Sequence, residues 1–344
     1  MSFPSTIRDT AHLDDLLSEP TPQAIQAVRH AEGDILVLGV AGKMGPTLAR
    51  MARRAVDAAG TAAKVIGVAR FSSPGLEPWL QEHGVETIRC DLLDEAALER
   101  LPDCPNVIFM AGRKFGSTGG EPLTWAMNTW LPAAVARRFR SSRIVAFSTG
   151  NVYGLVPAGR GGSRETDAPN PVGEYAMSCL GRERMFEYFS RTHGTEVALL
   201  RLNYATEMRY GVLADLAARV HARQPIDVTM GYVNVIWQGD ANAMALAALA
   251  HTASPPAIIN IAGADELRVR DLCGRIAARL GVEVTFTGEE APDALLSNGS
   301  RGHALLGAPR VDIDTLIGWT ADWVARGGES LGKPTHFESR SGHF

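Results

Sequence analysis

The sequence lacks a charge excess, a cysteine pairing pattern and any long apolar run. Lysine and arginine number 34 against 38 acidic residues, a formal net charge of -4. The short clusters Arg53-Arg54 and Arg137-Arg138 fall in helical patterns, so nothing marks a nucleic-acid surface. Cys90, Cys104, Cys179 and Cys273 are widely spaced and form no CxxC. Free thiols in a reducing compartment are the expectation, with no zinc knuckle. No stretch of about 18 apolar residues is present, which excludes a membrane helix. The first residues carry no apolar core of signal-peptide length, so the chain reads as cytoplasmic. His221 and His303 show no HxxxH or carboxylate spacing, and no metal is assigned.

What is there is an ordinary globular composition, 45% hydrophobic and 21% charged over 344 residues. That length suits about two domains, or one with an appended lobe. Residues 1–20 are polar and mixed and read as a loosely held extension. Thr21-Pro22 then looks like an N-cap with proline at the first helical position. Short apolar runs at 34–39, 64–69, 85–90, 106–111, 143–148 and 196–201 read as strands. Helical patterns separate them at 42–59, 94–101, 122–139 and 175–192. A further strand is expected at 257–262. This alternation predicts an α/β fold with a doubly wound parallel sheet.

Gly39-Val-Ala-Gly42-Lys43-Met44-Gly45 falls directly between the first strand and its helix. Glycines there allow a tight turn and close approach of the backbone to a pyrophosphate at a helix N-terminus. A Rossmann-type dinucleotide site follows. The second strand ends in Ala69-Arg70-Phe71-Ser72-Ser73, with no acid to hold a ribose 2'-hydroxyl. Arg70 and the serines suit a 2'-phosphate, which favours NADP over NAD. The implied organisation is an extension with a short helix at 1–33 and a dinucleotide-binding domain at 34–202, to which 232–263 return. Residues 203–231 and 264–330 would form a smaller C-terminal substrate lobe, and 331–344 a tail.

One further absence bears on chemistry. Tyr175 stands at the start of a predicted helix, in the position of an acid/base, yet the residue four on is Cys179. A phenol has a pKa near 10, and a cation at i+4 would favour the phenolate. A neutral thiol does not. Three readings stay open: Arg182 or Lys114 substitutes as the cation, the chemistry is slow or absent, or Cys179 itself takes part. Pro132 lies four residues after Asn128 and removes the usual donor to its carbonyl. That carbonyl could hold a water on a proton path, or the helix could simply kink.

Taken together, these residues resemble the extended short-chain dehydrogenase/reductase superfamily, the branch of nucleotide-sugar epimerases and dehydratases, over roughly 34–325. After the glycine turn, Asp91-Leu92 stands where the family's acid contacts adenine. Ala111-Gly112-Arg113-Lys114 is similar to the segment of UDP-galactose epimerase that runs along the cofactor. Asn128 matches the family's structural asparagine. Ser148-Thr149-Gly150-Asn151-Val152-Tyr153-Gly154 resembles its serine/threonine segment and places the catalytic hydroxyl on Thr149, beside Ser148. Asn203 matches the asparagine of an Arg-x-x-Asn run. Here YxxxK is Tyr175-xxx-Cys179, and Asn203 is followed by Tyr204-Ala205-Thr206.

The resemblance implies hydride transfer between a sugar or nucleotide-sugar and NADP, or alternatively NAD, with Tyr175 as acid/base. Gly150 stands where the branch's dehydratases carry an acid, which favours an epimerase or dehydrogenase. The other class of reading is a catalytically idle dinucleotide-binding protein, a sensor or scaffold. Arg209, Arg301 and Arg310 are candidates for a substrate phosphate or carboxylate, and Tyr153 and Tyr204 could touch substrate. The resemblance also implies a homodimer through the helices carrying Trp125, Trp130 and Leu131 and Leu180, Phe186 and Phe189.

Overall fold

The computed structural model describes residues 3–342. Seven strands form the central sheet: β1 (Ile35–Leu38), β2 (Val65–Ala69), β3 (Glu86–Arg89), β4 (Asn106–Phe109), β5 (Arg143–Thr149), β6 (Val197–Leu202) and β7 (Ala257–Ile261). Their spatial order is β7-β6-β5-β4-β1-β2-β3, and every neighbouring pair is parallel. The chain order reverses between β1 and β4, where Leu38 pairs with Phe109. In open sheets of this kind the crevice at that switch point receives ligands.

Parallel strands covered on both faces need apolar residues on both. Ile35 and Val37 point to one face with Val65, Ile108, Val145, Leu200 and Ile259. They meet the helices Pro22–Ala31, Gly45–Ala59 and Gln238–Ala247. Leu36 and Leu38 point to the other with Val68, Val107, Phe109, Ile144 and Leu199. Leu131, Val135 and Phe186 cover that side. The sheet is therefore filled by a strict period of two. A third apolar cluster lies outside it, built from Val212, Leu216, Val235, Val269, Leu272, Ile317 and Trp319. Among the described residues, no helix is long and apolar enough to cross a membrane.

Two expectations are corrected. The loose extension expected over 1–20 is, within the described residues 3–20, an ordered segment: Thr10–Leu17 is a helix capped by Asp9, whose carboxylate accepts from the His12 N–H at 2.8 Å. Ile7, Leu13 and Leu17 are buried in the third cluster, so the segment is part of the lobe's core. The helix expected over 122–139 is instead three segments, Glu121–Trp125, a π turn at Ala126–Trp130, and Leu131–Arg138. The Leu131 N–H donates to the Ala126 carbonyl five residues back. The donor missing at Pro132 is thus accommodated by a change of helix pitch.

A buried polar network joins the last strands to the long helix Gly173–His193. Arg201 on β6 donates to Glu183 from Nε at 3.0 Å and from a terminal nitrogen at 2.7 Å. Both side chains are 2% exposed. Arg201 also donates to the Tyr153 hydroxyl, which donates to Asn260 on β7. In Arg201→Met, Glu183 keeps a buried charge without its partner, a loss of roughly 3–5 kcal/mol. We expect denaturant titration to show that loss, with much of it recovered in Arg201→Met/Glu183→Leu. A single-variant loss below about 1 kcal/mol, the range of an exposed pair, would contradict this account.

Candidate active site

The glycine turn after β1 has a different steric reason at each glycine. Gly39 has φ +86°, and a Cβ there would lie 2.7 Å from the Ala111 nitrogen on the β4 loop. A side chain at Gly45 would run into the Val40 carbonyl. Gly42 is exposed on the cleft, and its bare backbone faces the space a pyrophosphate would take. The cleft has a volume of about 330 Å³. It is walled by Gly39, Gly42, Arg70, Asp91, Leu92, Ala111 and Gly112, so the turn and the loops after β2, β3 and β4 converge. Met44 instead packs into the core behind the turn. The residues present fit a dinucleotide.

Beyond Gly112 the residues of the reacting end gather. Tyr175 lies in the first turn of Gly173–His193, half-buried, with Thr149 at the end of β5. The Tyr175 hydroxyl is within hydrogen-bonding reach of Thr149 and of the Cys179 thiol. Cys179 is fully buried against Val152, Tyr153 and Tyr175. Burial pushes the Tyr175 phenol well above its ordinary range, and Cys179 adds to the rise, while the Arg182 charge opposes it. Burial likewise raises the Cys179 thiol, so it sits as a neutral group. Ser148 turns away, its hydroxyl donating to Glu183 at 2.6 Å. It belongs to the network around Arg201 and does not face the phenol.

Arg182 is the cation built into this site. Its guanidinium donates to the Phe147 carbonyl at 2.6 Å and to Asn128 Oδ1 at 2.8 Å. Asn128 holds the β4 loop from both sides, accepting from the Arg113 N–H and donating to the Arg113 carbonyl, each at 2.8 Å. It also donates to Ser178 at 3.0 Å. A Cβ at Gly112 would lie 2.5 Å from the Arg182 guanidinium. A side chain at 112 would therefore push the guanidinium away from its place beneath the cleft wall. Lys114 approaches from the same loop, its ammonium 6.0 Å from the centre of the Tyr175 ring. Burial lowers Lys114 to about 8, against the pull of Asp215.

The lobe contributes from the opposite side. Asn203, just after β6, donates to Asn234 Oδ1 at 2.6 Å, and Asn234 donates to the Ser297 carbonyl at 2.6 Å. Arg209 is engaged by Glu207 and by Asp14 of the N-terminal helix. Arg301 is exposed on the short helix Ser300–Leu306. Arg310 pairs with Asp240 at 2.7 Å. Tyr153 is held in the Arg201 network, and the Tyr204 hydroxyl reaches the Phe337 carbonyl at 3.5 Å. Lys43 extends across the cleft, its ammonium 3.2 Å from the Tyr210 ring centre. Burial pulls its pKa down and raises that of buried Glu207 nearby.

Several groups escaped sequence reasoning. Ser178 could have been found, since i+3 from Tyr175 shares its helix face. The Asn234–Ser297 pair and the contact of Thr335 with Lys114 join residues far apart in the chain, and no local pattern signals either.

Known proteins show the same architecture. Similar solved structures include UDP-glucose 4-epimerase from Thermotoga maritima, with UDP-glucose: TM-score 0.70, 18% identity, 85% of this chain and 99% of that one. Another is dTDP-glucose 4,6-dehydratase from Streptomyces venezuelae with NAD and TYD bound: TM-score 0.72, 20% identity, 86% and 97%. At those identities the likeness is one of fold. In sequence, the chain is 29% identical over 177 residues to a dTDP-glucose 4,6-dehydratase of Streptomyces niveus, covering 48% of this chain. The chain spans about half the length of that curated relative, 52%. The model of the NAD dependent epimerase/dehydratase family matches residues 35–262. With its glycine turn, parallel sheet and switch-point cleft inside that span, the chain belongs to the NAD dependent epimerase/dehydratase family.

Proposed function

We propose that this chain is a nucleotide-sugar epimerase or dehydrogenase, with Tyr175 as acid/base and Arg182 supplying the positive charge that the residue at 179 does not. The observation that carries this is the Arg182 guanidinium, held beneath Gly112 and acting on both Tyr175 and Cys179. Gly39, Gly42 and Gly45 would hold the pyrophosphate, and Asp91 and Leu92 would lie at the adenine end. When bound, the nicotinamide supplies the hydride acceptor. Tyr175 takes the proton of the substrate hydroxyl, and Thr149 donates a hydrogen bond to the same oxygen as charge develops there. Bringing a phenol from about 10 to about 7 requires roughly 4 kcal/mol of added stabilisation, and the burial that raises Tyr175 adds to that requirement.

Dehydration is less well supported than epimerisation or oxidation. A Cβ at Gly150 would lie 2.9 Å from both Asn203 Oδ1 and Ser297 Oγ, so no acid side chain fits beside Thr149. NADP is favoured over NAD by the exposed Arg70 and Ser72 on the cleft wall, although the Streptomyces venezuelae neighbour carries NAD. A homodimer is supported by Trp125, Trp130, Met177 and Tyr188, which are exposed on the two helices in question. Leu131 and Phe186, also expected on that face, lie in the sheet core. The raised Tyr175 pKa is the one observation that favours an idle dinucleotide-binding protein.

Activity separates the two readings. On a panel of UDP- and dTDP-sugars, Tyr175→Phe and Arg182→Met should each lower kcat by about 100-fold or more, while cofactor affinity holds. Cys179→Lys alone brings two cations together and should give no gain, whereas Cys179→Lys/Arg182→Ala should restore turnover. Full activity in Arg182→Met would remove the relocated cation. Lys114 is charged below about pH 8 and neutral above it. A falling limb of kcat/KM near that pH is expected, displaced upward in Lys114→Arg; an identical profile for both proteins argues against its part. Finally, Arg70→Ala should weaken NADP by about tenfold in calorimetry, the scale of one charge-assisted hydrogen bond, and leave NAD nearly unchanged. Equal losses for both cofactors would contradict the 2'-phosphate role.

A further inference from the structure

Residues 333–342 run from the β4 loop to the lobe and on to the start of the Tyr175 helix. Thr335 is buried at 3% exposure. Its carbonyl accepts from the Lys114 ammonium at 3.1 Å. Its N–H and hydroxyl both donate to Asp215 Oδ2, at 2.7 Å and 2.5 Å. Lys114 belongs to the β4 loop of the dinucleotide side, and Asp215 to the lobe helix Val212–His221. The neighbouring residues hold the segment in place. Phe337 is 2% exposed in the lobe's apolar cluster. Glu338 pairs with Arg219 at 3.1 Å, and Arg340 pairs with Asp293. Gly342 packs against Val172 and Gly173, where the Tyr175 helix begins.

A carboxylate that accepts from two donors, with an ammonium bonded to the same residue, is a site suited to a pair of hydroxyls. Thr335 satisfies both sides with one residue. We propose that residues 333–342 form a strap over the sugar end of the cleft, in which Thr335 occupies the hydroxyl positions of a polyol substrate between Lys114 and Asp215. The strap competes with the sugar, and substrate binds as Thr335 leaves. Lys114 and Asp215 are then the residues that grip the sugar. This rests on the nucleotide-sugar reading for the identity of the ligand, and on the geometry alone for the strap.

The test uses two readouts and two variants. One variant deletes 333–344. The other, Arg340→Ala, removes the pairing of the strap with Asp293, and melting curves check that each folds. The first readout is acetylation of Lys114 by N-hydroxysuccinimidyl acetate, followed by mass spectrometry, and it needs no substrate. Both variants should label faster than the full chain, the deletion by about tenfold if the strap is closed nine-tenths of the time. Unchanged labelling in both folded variants overturns the strap. The second readout is calorimetry with UDP-glucose in the presence of NADP. Tighter binding by the variants, by a similar factor, supports displacement of Thr335, and equal measurable affinity for all three proteins overturns it. Faster labelling with no UDP-glucose binding by any of them supports the strap and counts against the nucleotide-sugar reading.

Discussion

The site is organised by one buried cation. The Arg182 guanidinium reaches from the long helix to the Phe147 carbonyl on β5 and to Asn128 in the π turn. Asn128 in turn fastens the loop after β4. Three elements that would otherwise only abut are thereby held to one geometry. The cost is local: a side chain at Gly112 would displace the guanidinium. A buried charge is tolerable where hydrogen bonds surround it. In return, positive charge stands beneath the cleft wall and beside the phenol.

This arrangement gives meaning to the thiol at 179. A lysine there would sit three residues from Arg182 on the same helix face and repel it. The small, neutral Cys179 fills the space against Val152 and Tyr153. A small, neutral residue at 179 is therefore the electrostatically compatible neighbour of Arg182. Ser148 shows how narrow the reactive face is. It is adjacent to Thr149 in sequence, yet neighbouring strand residues point oppositely, and its hydroxyl serves the Glu183–Arg201 pair.

The lobe is tied to the sheet domain by segments from both ends of the described chain. The helix Thr10–Leu17 enters the lobe's core, and Asp14 reaches Arg209. Residues 333–342 cross from Lys114 to Asp215 and on to Gly173. The first carries a local helix signal, Asp9 as a cap and leucines at 13, 16 and 17, whereas the few apolar residues of 333–342 show no period. Their order comes from contacts with residues hundreds of positions away.

The sequence by itself determined the sheet, its strand order of appearance and the glycine turn. Those features are local: a period of two, glycines at fixed offsets, and a helix start after a strand are written in consecutive residues. Tertiary structure alone decided that Arg182 is held by Phe147 and Asn128, that Arg209 and Arg310 are held in ion pairs, and that Leu13 and Thr335 belong to the interior. Each of those outcomes depends on groups far apart along the chain meeting in a low-dielectric interior. There, burial and hydrogen-bond satisfaction outweigh any preference that a local pattern can express.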